Sequence, residues 1–441
     1  MSAPLKSFRI PLRVGSASDP KGKEGLANLT ARLLVEGSTR NRSYKQILDE
    51  MFAMATGLDV QVDQELTVFI GTVHSDHAAK YEALIREMLD EPAFLPEDFE
   101  RVRDDQLNFL RVGLCGNNDE ELSKEVLYCE LYKGHPYGHH PCGTVSGLDA
   151  IQLEDVRDFY GKYLKEPGLK ARPAMALPAP RKPEGLEVTL LDKPEARGVA
   201  MSFGFHLPMR RGDVDFPALL VGQAWLGQHR NGGRLFDQIR DIRGLNYGDY
   251  AYLEYFPRGM YQFEPDPNLA RQQQVFQVWL RPVVPEKALF AFRLALHEID
   301  ELCRVGLNEE DFERTRLFLS KNVKLLQKTQ SLIDGYAIDS EFYGIGEYAK
   351  YIGESLAGLR LETVNAVIRK YLQTKDLRFV ATGPNMQAFA ETMKSGEATP
   401  IEYEIEMPAE VVAEDLVVAS RPLDVSNIRI VPAQTAFDRT L

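Results

Sequence analysis

Apolar positions along this chain follow two rhythms, and the whole succession runs twice. Period-two stretches at 8–14 and 66–73 predict strands, with Leu66, Val68 and Ile70 sharing one face. Helical spacing predicts helices at 25–36 and 44–56, then a long one carrying Leu84 and Met88. The same order returns as a strand at 199–205, helices at 216–226 and 235–243, and a strand at 275–280. A second long helix follows, carrying Leu289, Phe292, Leu296 and Ile299. Closing strands are expected at 170–177 and 377–382.

Literal repeats tie the two runs together. Glu97-Asp98-Phe99-Glu100-Arg101 returns as Glu310-Asp311-Phe312-Glu313-Arg314. Leu153-Glu154, Val156 and Lys162-Tyr163-Leu164 return as Leu361-Glu362, Val364 and Lys370-Tyr371-Leu372. A whole domain has been duplicated, not a short solenoid unit. Strands with helices clustered on one side make an α+β fold of two homologous α/β sandwich domains, each a mostly antiparallel sheet. Pro178, Pro180 and Pro183 mark the joint, so the domains are expected at 1–180 and 181–399. The second copy opens with an extra strand at 186–191, whose counterpart in the first would fall before Met1. Residues 400–441 do not repeat. Glu402, Glu404, Glu406, Glu410 and Glu414 make them acidic, and Val417-Val418 and 428–431 read as strand-like. The expectation is a C-terminal acidic arm packed on the body.

Composition narrows the function classes. The chain has 441 residues, 44% of them hydrophobic and 27% charged, which is globular. A net charge of −13 argues against nucleic acid, whose phosphates need a basic face. No run of about 18 apolar residues exists to span a membrane. Residues 1–7 hold no apolar signal-peptide core. A soluble, cytoplasmic protein is expected, or a periplasmic one if an N-terminal segment has been removed. Cys115, Cys129, Cys142 and Cys303 form no CxxC pair.

Candidate chemistry gathers at 234–247. Leu235, Ile239 and Ile242 make a helical stripe, Gly244 ends the helix, and 247–252 alternates as a strand. Arg240 then stands in the last helical turn and Tyr247 at the start of the strand. Two hydrogen-bond donors so placed could converge on a carbonyl oxygen that gains charge. They could equally be a helix C-terminal cation beside a half-buried tyrosine. His135, His139, His140 and Cys142 supply metal-ligand types, weighed against a purely structural loop. His74 and His77 flank a helix start that Ser75 would cap.

The loop Gly15-Ser16-Ala17-Ser18-Asp19-Pro20 and the helix from Gly25 to Ser38 carry a resemblance. So do His135-Pro136-Tyr137-Gly138-His139 with Gly143-Thr144, Asp192-Lys193-Pro194, and Arg234-Leu235-Phe236 through Gly244-Leu245-Asn246-Tyr247. Together they resemble the insulinase/pitrilysin superfamily of zinc metallopeptidases, in the branch that includes the mitochondrial processing peptidase. The resemblance implies a LuxS/processing-peptidase-like fold, paired with a second two-domain chain around a closed chamber.

In catalytic members the first helix bears the inverted motif His-x-x-Glu-His, with a further glutamate ligand on a later helix. Residues at i and i+4 share a helical face and can hold one metal, while i+3 activates its water. Here those positions are Asn28, Ala31 and Arg32, and the glutamate position falls near Asn108 or Phe109. The resemblance therefore implies no cofactor in this chain, and Zn²⁺ in a homologous catalytic partner that carries His-x-x-Glu-His. The family's substrate-contacting arginine and tyrosine match Arg240 and Tyr247, and Gly232 and Gly233 would keep nearby backbone open to the chamber. The long glycine-rich loop of the mitochondrial substrate-recruiting subunit has no counterpart, so presequence processing is not supported. The expected function is the substrate-contacting, zinc-less subunit of a heterodimeric metalloendopeptidase acting on peptides or unfolded segments, inactive alone. Its rivals are a catalytically inactive core-type subunit of a larger complex and a stand-alone hydrolase built on the histidine cluster.

Overall fold

Two sheets organise the chain, and the alternating stretches supply most of their strands. The computed structural model describes residues 4–228, 232–256 and 266–440. The first sheet is antiparallel in the order β1 (Leu5–Leu12), β3 (Thr67–His74), β2 (Leu58–Val62). The second holds β4 (Leu186–Asp192), β5 (Val199–Leu207), β6 (Asp249–Tyr252), β7 (Gln274–Val283), β8 (Leu377–Gly383) and β9 (Val425–Pro432). Its order is β6-β7-β5-β8-β4-β9. The run β5-β7-β6 repeats β1-β3-β2 with the same antiparallel pairing, so the duplication survives in the topology.

The helices of the first half are α1 (Leu26–Glu36), α2 (Tyr44–Ala53), α3 (Ala78–Asp90), α4 (Pro96–Asn108), α5 (Asp119–Leu131), α6 (Val145–Ala150) and α7 (Leu153–Phe159). The second half has α8 (Phe216–Gln223), α9 (Pro285–Val305), α10 (Glu309–Asn322), α11 (Gln330–Tyr343), α12 (Tyr348–Ala357), α13 (Leu361–Tyr371) and α14 (Met386–Ser395). A C-terminal helix, α15 (Ala409–Ala419), precedes β9. No helix among the described residues is long and apolar enough to cross a membrane.

Several expectations are corrected. Residues 170–177 form no strand: Pro173 sits mid-stretch without an N–H for a ladder, and Leu169, Met175 and Leu177 serve only as separate apolar anchors. The C-terminal residues pack on the body through a strand and a buried end. β9 pairs in parallel with β4 and extends the second sheet, and Ala433, Ala436 and Phe437 reach into the first core. Val417 and Val418 lie in α15, which packs against α9 and buries Val418 while Val417 stays exposed, so the helix overrides their local strand preference. At 74–78 the cap is the His74 imidazole, which accepts the Asp76 N–H, rather than Ser75.

Helix α5 joins the halves. Nearly every residue from Leu122 to Leu131 is buried, because its second face lies against β5 and β8. Its polar groups therefore need partners: the Ser123 hydroxyl meets Thr382 at 2.7 Å, and Tyr255 donates its hydroxyl to Glu125 at 3.1 Å. Burial pushes the Glu125 carboxyl up to about 7. Its folded value lies above the unfolded one, so the native state binds the extra proton and loses stability as pH climbs from about 4.5 to 7. Glu125→Gln, which is never charged, should match the wild type near pH 5. It should be more stable at pH 8, by on the order of 1–3 kcal/mol, in paired urea titrations. An equal difference at both pH values would refute this.

Candidate functional site

Local chemistry builds the corner at 234–247. Residues Phe236–Ile242 wind as a π-helix. Leu235 and Ile239 are buried as expected, but the wider i→i+5 winding turns Ile242 outward, so the predicted stripe loses its third member. Gly244, at φ +63°, ends the helix: its N–H bonds to the Arg240 carbonyl at 2.8 Å, and Leu245 N–H reaches back to Ile239 at 3.0 Å. The strand begins at Asp249, so Tyr247 stands in the turn before it rather than on it.

The corner is held from two sides. The Asn246 amide donates to Asp249 at 2.7 Å and to the Arg281 carbonyl at 3.1 Å, while its oxygen accepts the Gly248 N–H. Arg243, fully buried, is clamped by Glu414 at 2.5 Å and Asp415 at 2.8 Å from α15. Between these supports Arg240 and Tyr247 come together, the guanidinium carbon 5.8 Å from the phenol ring centre and 4.6 Å from that of Phe236. Arg240 is 39% exposed, with one nitrogen 3.2 Å from Asp241. Tyr247 is 77% exposed, not the half-buried tyrosine that a purely structural role would call for. Gly232, at φ +110°, is exposed and a side chain there would meet nothing, whereas Gly233 is buried and its carbonyl accepts the Asp237 N–H. The neighbouring Asn231 lies outside the described residues.

The degenerate motif lines a separate cleft of about 920 Å³. Asp19 prepares it by accepting the Gly25 and Ala27 N–H groups at 2.7 Å each, capping α1. Gly25 is required there, since a side chain would collide with the Cys142 carbonyl and Leu148. Asn28 and Arg32 face the cleft, and Ala31 is buried in the core. Arg32 forms a two-pronged pair with Glu36 at 2.7 and 2.9 Å, with Asp105 at 4.0 Å. Phe109 lines the same cleft, whereas Asn108 does not. An amide, a methyl and a paired guanidinium do not fit zinc. The purified chain should therefore carry far less than one zinc per molecule by elemental analysis. Stoichiometric zinc that disappears in His139→Ala would contradict this.

The histidine cluster disperses. His139 contacts Asp19 at 3.1 Å, His140 lies 3.7 Å from Glu125, and His135 bonds to the Pro178 carbonyl at 3.1 Å. Burial pushes the Cys142 thiol up to about 12, away from the thiolate that metals and electrophiles need. Among the described residues no three His, Cys, Asp or Glu side chains converge on a metal position.

Fold and site thus define a duplicated two-domain α+β chain with a degenerate metal helix and an exposed arginine–tyrosine corner. The family description "Insulinase (Peptidase family M16)" matches residues 5–144, and "Peptidase M16 inactive domain" matches 142–319. The chain belongs to the insulinase family, M16. It is 22% identical over 392 residues to a Rickettsia bellii protein named "Uncharacterized zinc protease", spanning 82% of this chain and 89% of that one. It is 26% identical over 166 residues, 37% of each chain, to the "Non-peptidase homolog YmxG" of Helicobacter pylori. Among solved structures, a peptidase M16 inactive domain from Pseudomonas fluorescens superposes with a TM-score of 0.73 at 18% identity, covering 87% of this chain and 93% of that one. A protease from Helicobacter pylori gives 0.70 at 14%, covering 87% and 94%.

Proposed function

We propose that this chain is the zinc-less, substrate-contacting subunit of a two-chain metalloendopeptidase. The observation that carries the reading is the corner itself. Arg240 and Tyr247 are adjacent, exposed and braced by Asn246 and Arg243, while the chain's own motif positions cannot ligate a metal. Two donors that converge on a substrate oxygen act beside a nucleophile, which a second chain would supply. A homologous chain bearing His-x-x-Glu-His would supply metal, water and general base. Arg240 and Tyr247 would polarise the scissile carbonyl of a peptide or unfolded segment from the opposite wall.

Such an arrangement needs a stable interface of at least about 1,000 Å². Co-expression with an M16 chain that retains His-x-x-Glu-His and is encoded beside this one tests it. The two should leave a size-exclusion column as one species. Separate elution across micromolar concentrations would count against the reading.

A further inference from the structure

At one end of the second sheet, four cations gather around a pocket of about 240 Å³. Strand register explains the gathering. Glu187 on β4 lies between Arg378 on β8 and Asn427 on β9, and Thr189 lies beside Arg429. With a period of two, these side chains leave the same face of the sheet. The end of α5 brings Glu130 and Lys133 to the pocket, and the segment joining the two halves brings Arg181.

The carboxylates here are already well supplied with donors. Glu187 accepts Arg181 at 2.6 Å, the Glu184 N–H at 3.0 Å, and Arg378; Glu130 accepts Arg429. The cations are not equally satisfied. Arg378 is 6% exposed, and its Nε is buried without a hydrogen-bond partner. Lys133 is exposed at the rim and makes no ion pair among the described residues. Four positive groups thus face two carboxylates, in a chain whose net charge is −13.

We propose that this pocket binds a small oxyanion of the phosphate class, either inorganic phosphate or the phosphate of a monoester. The volume lies below the roughly 300–1,000 Å³ typical of sites for drug-sized ligands, so a compact anion fits and a whole nucleotide does not. Donors arrive from three sides, the sheet, the helix end and the joining segment, which suits a tetrahedral ion better than a planar carboxylate. Burial, together with repulsion from Arg181 and Arg429, holds the Arg378 guanidinium below its ordinary range, and a bound anion relieves both. Because Lys133, Arg181 and Arg429 come from three separate stretches of chain, the anion would fasten the first half, the joint and the C-terminal strand together.

The test is calorimetric titration and thermal unfolding of the full chain with inorganic phosphate, against sodium chloride of equal ionic strength. Saturable binding of one phosphate per chain with a raised Tm is expected. Affinity should fall about tenfold in Arg429→Gln and in Lys133→Ala, as loss of one charge-assisted hydrogen bond predicts. Arg378→Gln should abolish binding but leaves Glu187 short of a buried partner. The exposed Lys133→Ala therefore keeps the result independent of folding. Glycerol phosphate in a parallel titration separates the free ion from a monoester, and binding of either supports the proposal. Equal shifts with phosphate and chloride overturn it, as do unchanged affinity in both variants or tighter binding of a peptide ending in a free carboxylate.

Discussion

Tyr247→Phe should lower turnover by about 10²–10³ in the reconstituted two-chain enzyme, with folding and pairing intact. The substitution removes one hydroxyl from a side chain that is 77% exposed and makes no hydrogen bond among the described residues, so the fold loses nothing by it. Any large effect must then come from what the hydroxyl meets in the complex. A donor felt mainly in the transition state would depress kcat, with less change in KM. Arg240→Lys should also be impaired, because it keeps a charge but loses the planar fork that could hold Asp241 in one direction and a substrate oxygen in another. Steady-state kinetics on the purified complex, with zinc content and size checked for each variant, decide the matter. Normal turnover by Tyr247→Phe would make the pair structural and favour the scaffold reading.

Arg271→Leu should cost about 3–5 kcal/mol of stability, enough to leave little soluble protein. Arg271 bonds through two nitrogens to Asp63, both side chains almost wholly buried, and its guanidinium lies 3.7 Å over the Tyr255 ring. Asp63 opens the loop after β2 in the first half, and Arg271 precedes β7 in the second, so the pair bolts the two sheets together. Removing the cation strands a buried carboxylate whose side-chain hydrogen bonds among the described residues all go to Arg271. The double variant Asp63→Asn with Arg271→Leu should recover part of the loss, because no buried charge remains. Urea unfolding of the set provides the cycle, and a single variant as stable as the wild type would refute the claim.

Local cues and long-range cues were not equally legible in the sequence. The arginine–tyrosine corner could be read because its determinants are adjacent: Gly244 needs the left-handed conformation, and the turn after it must re-enter a strand. The degenerate motif at Asn28, Ala31 and Arg32 could be read because identity alone decides whether a group ligates zinc. What occupies those positions could not, since the Arg32–Glu36 pair looks like any surface i, i+4 contact until the cleft is seen. The closing strand expected at 170–177 does not form because Pro173 and the interrupted anchors weigh against it. The two valines in α15 misled because the helix is fixed by its packing on α9, which buries Val418 and carries the exposed Val417 with it. Asp63 and Arg271 lie 208 residues apart, and no pattern within either segment announces the other. The supports of the corner were missed for a similar reason, since Arg243 finds Glu414 and Asp415 only after the C-terminal residues fold back.

On the proposed function, this chain completes an active site that it does not itself contain. Peptide hydrolysis measured for this chain alone, for its His-x-x-Glu-His partner alone, and for the complex tests that most directly. The prediction is no hydrolysis by either chain alone and full hydrolysis by the complex, abolished by chelation and restored by zinc. Hydrolysis by this chain alone, or an unchanged rate from the partner without it, would contradict the account.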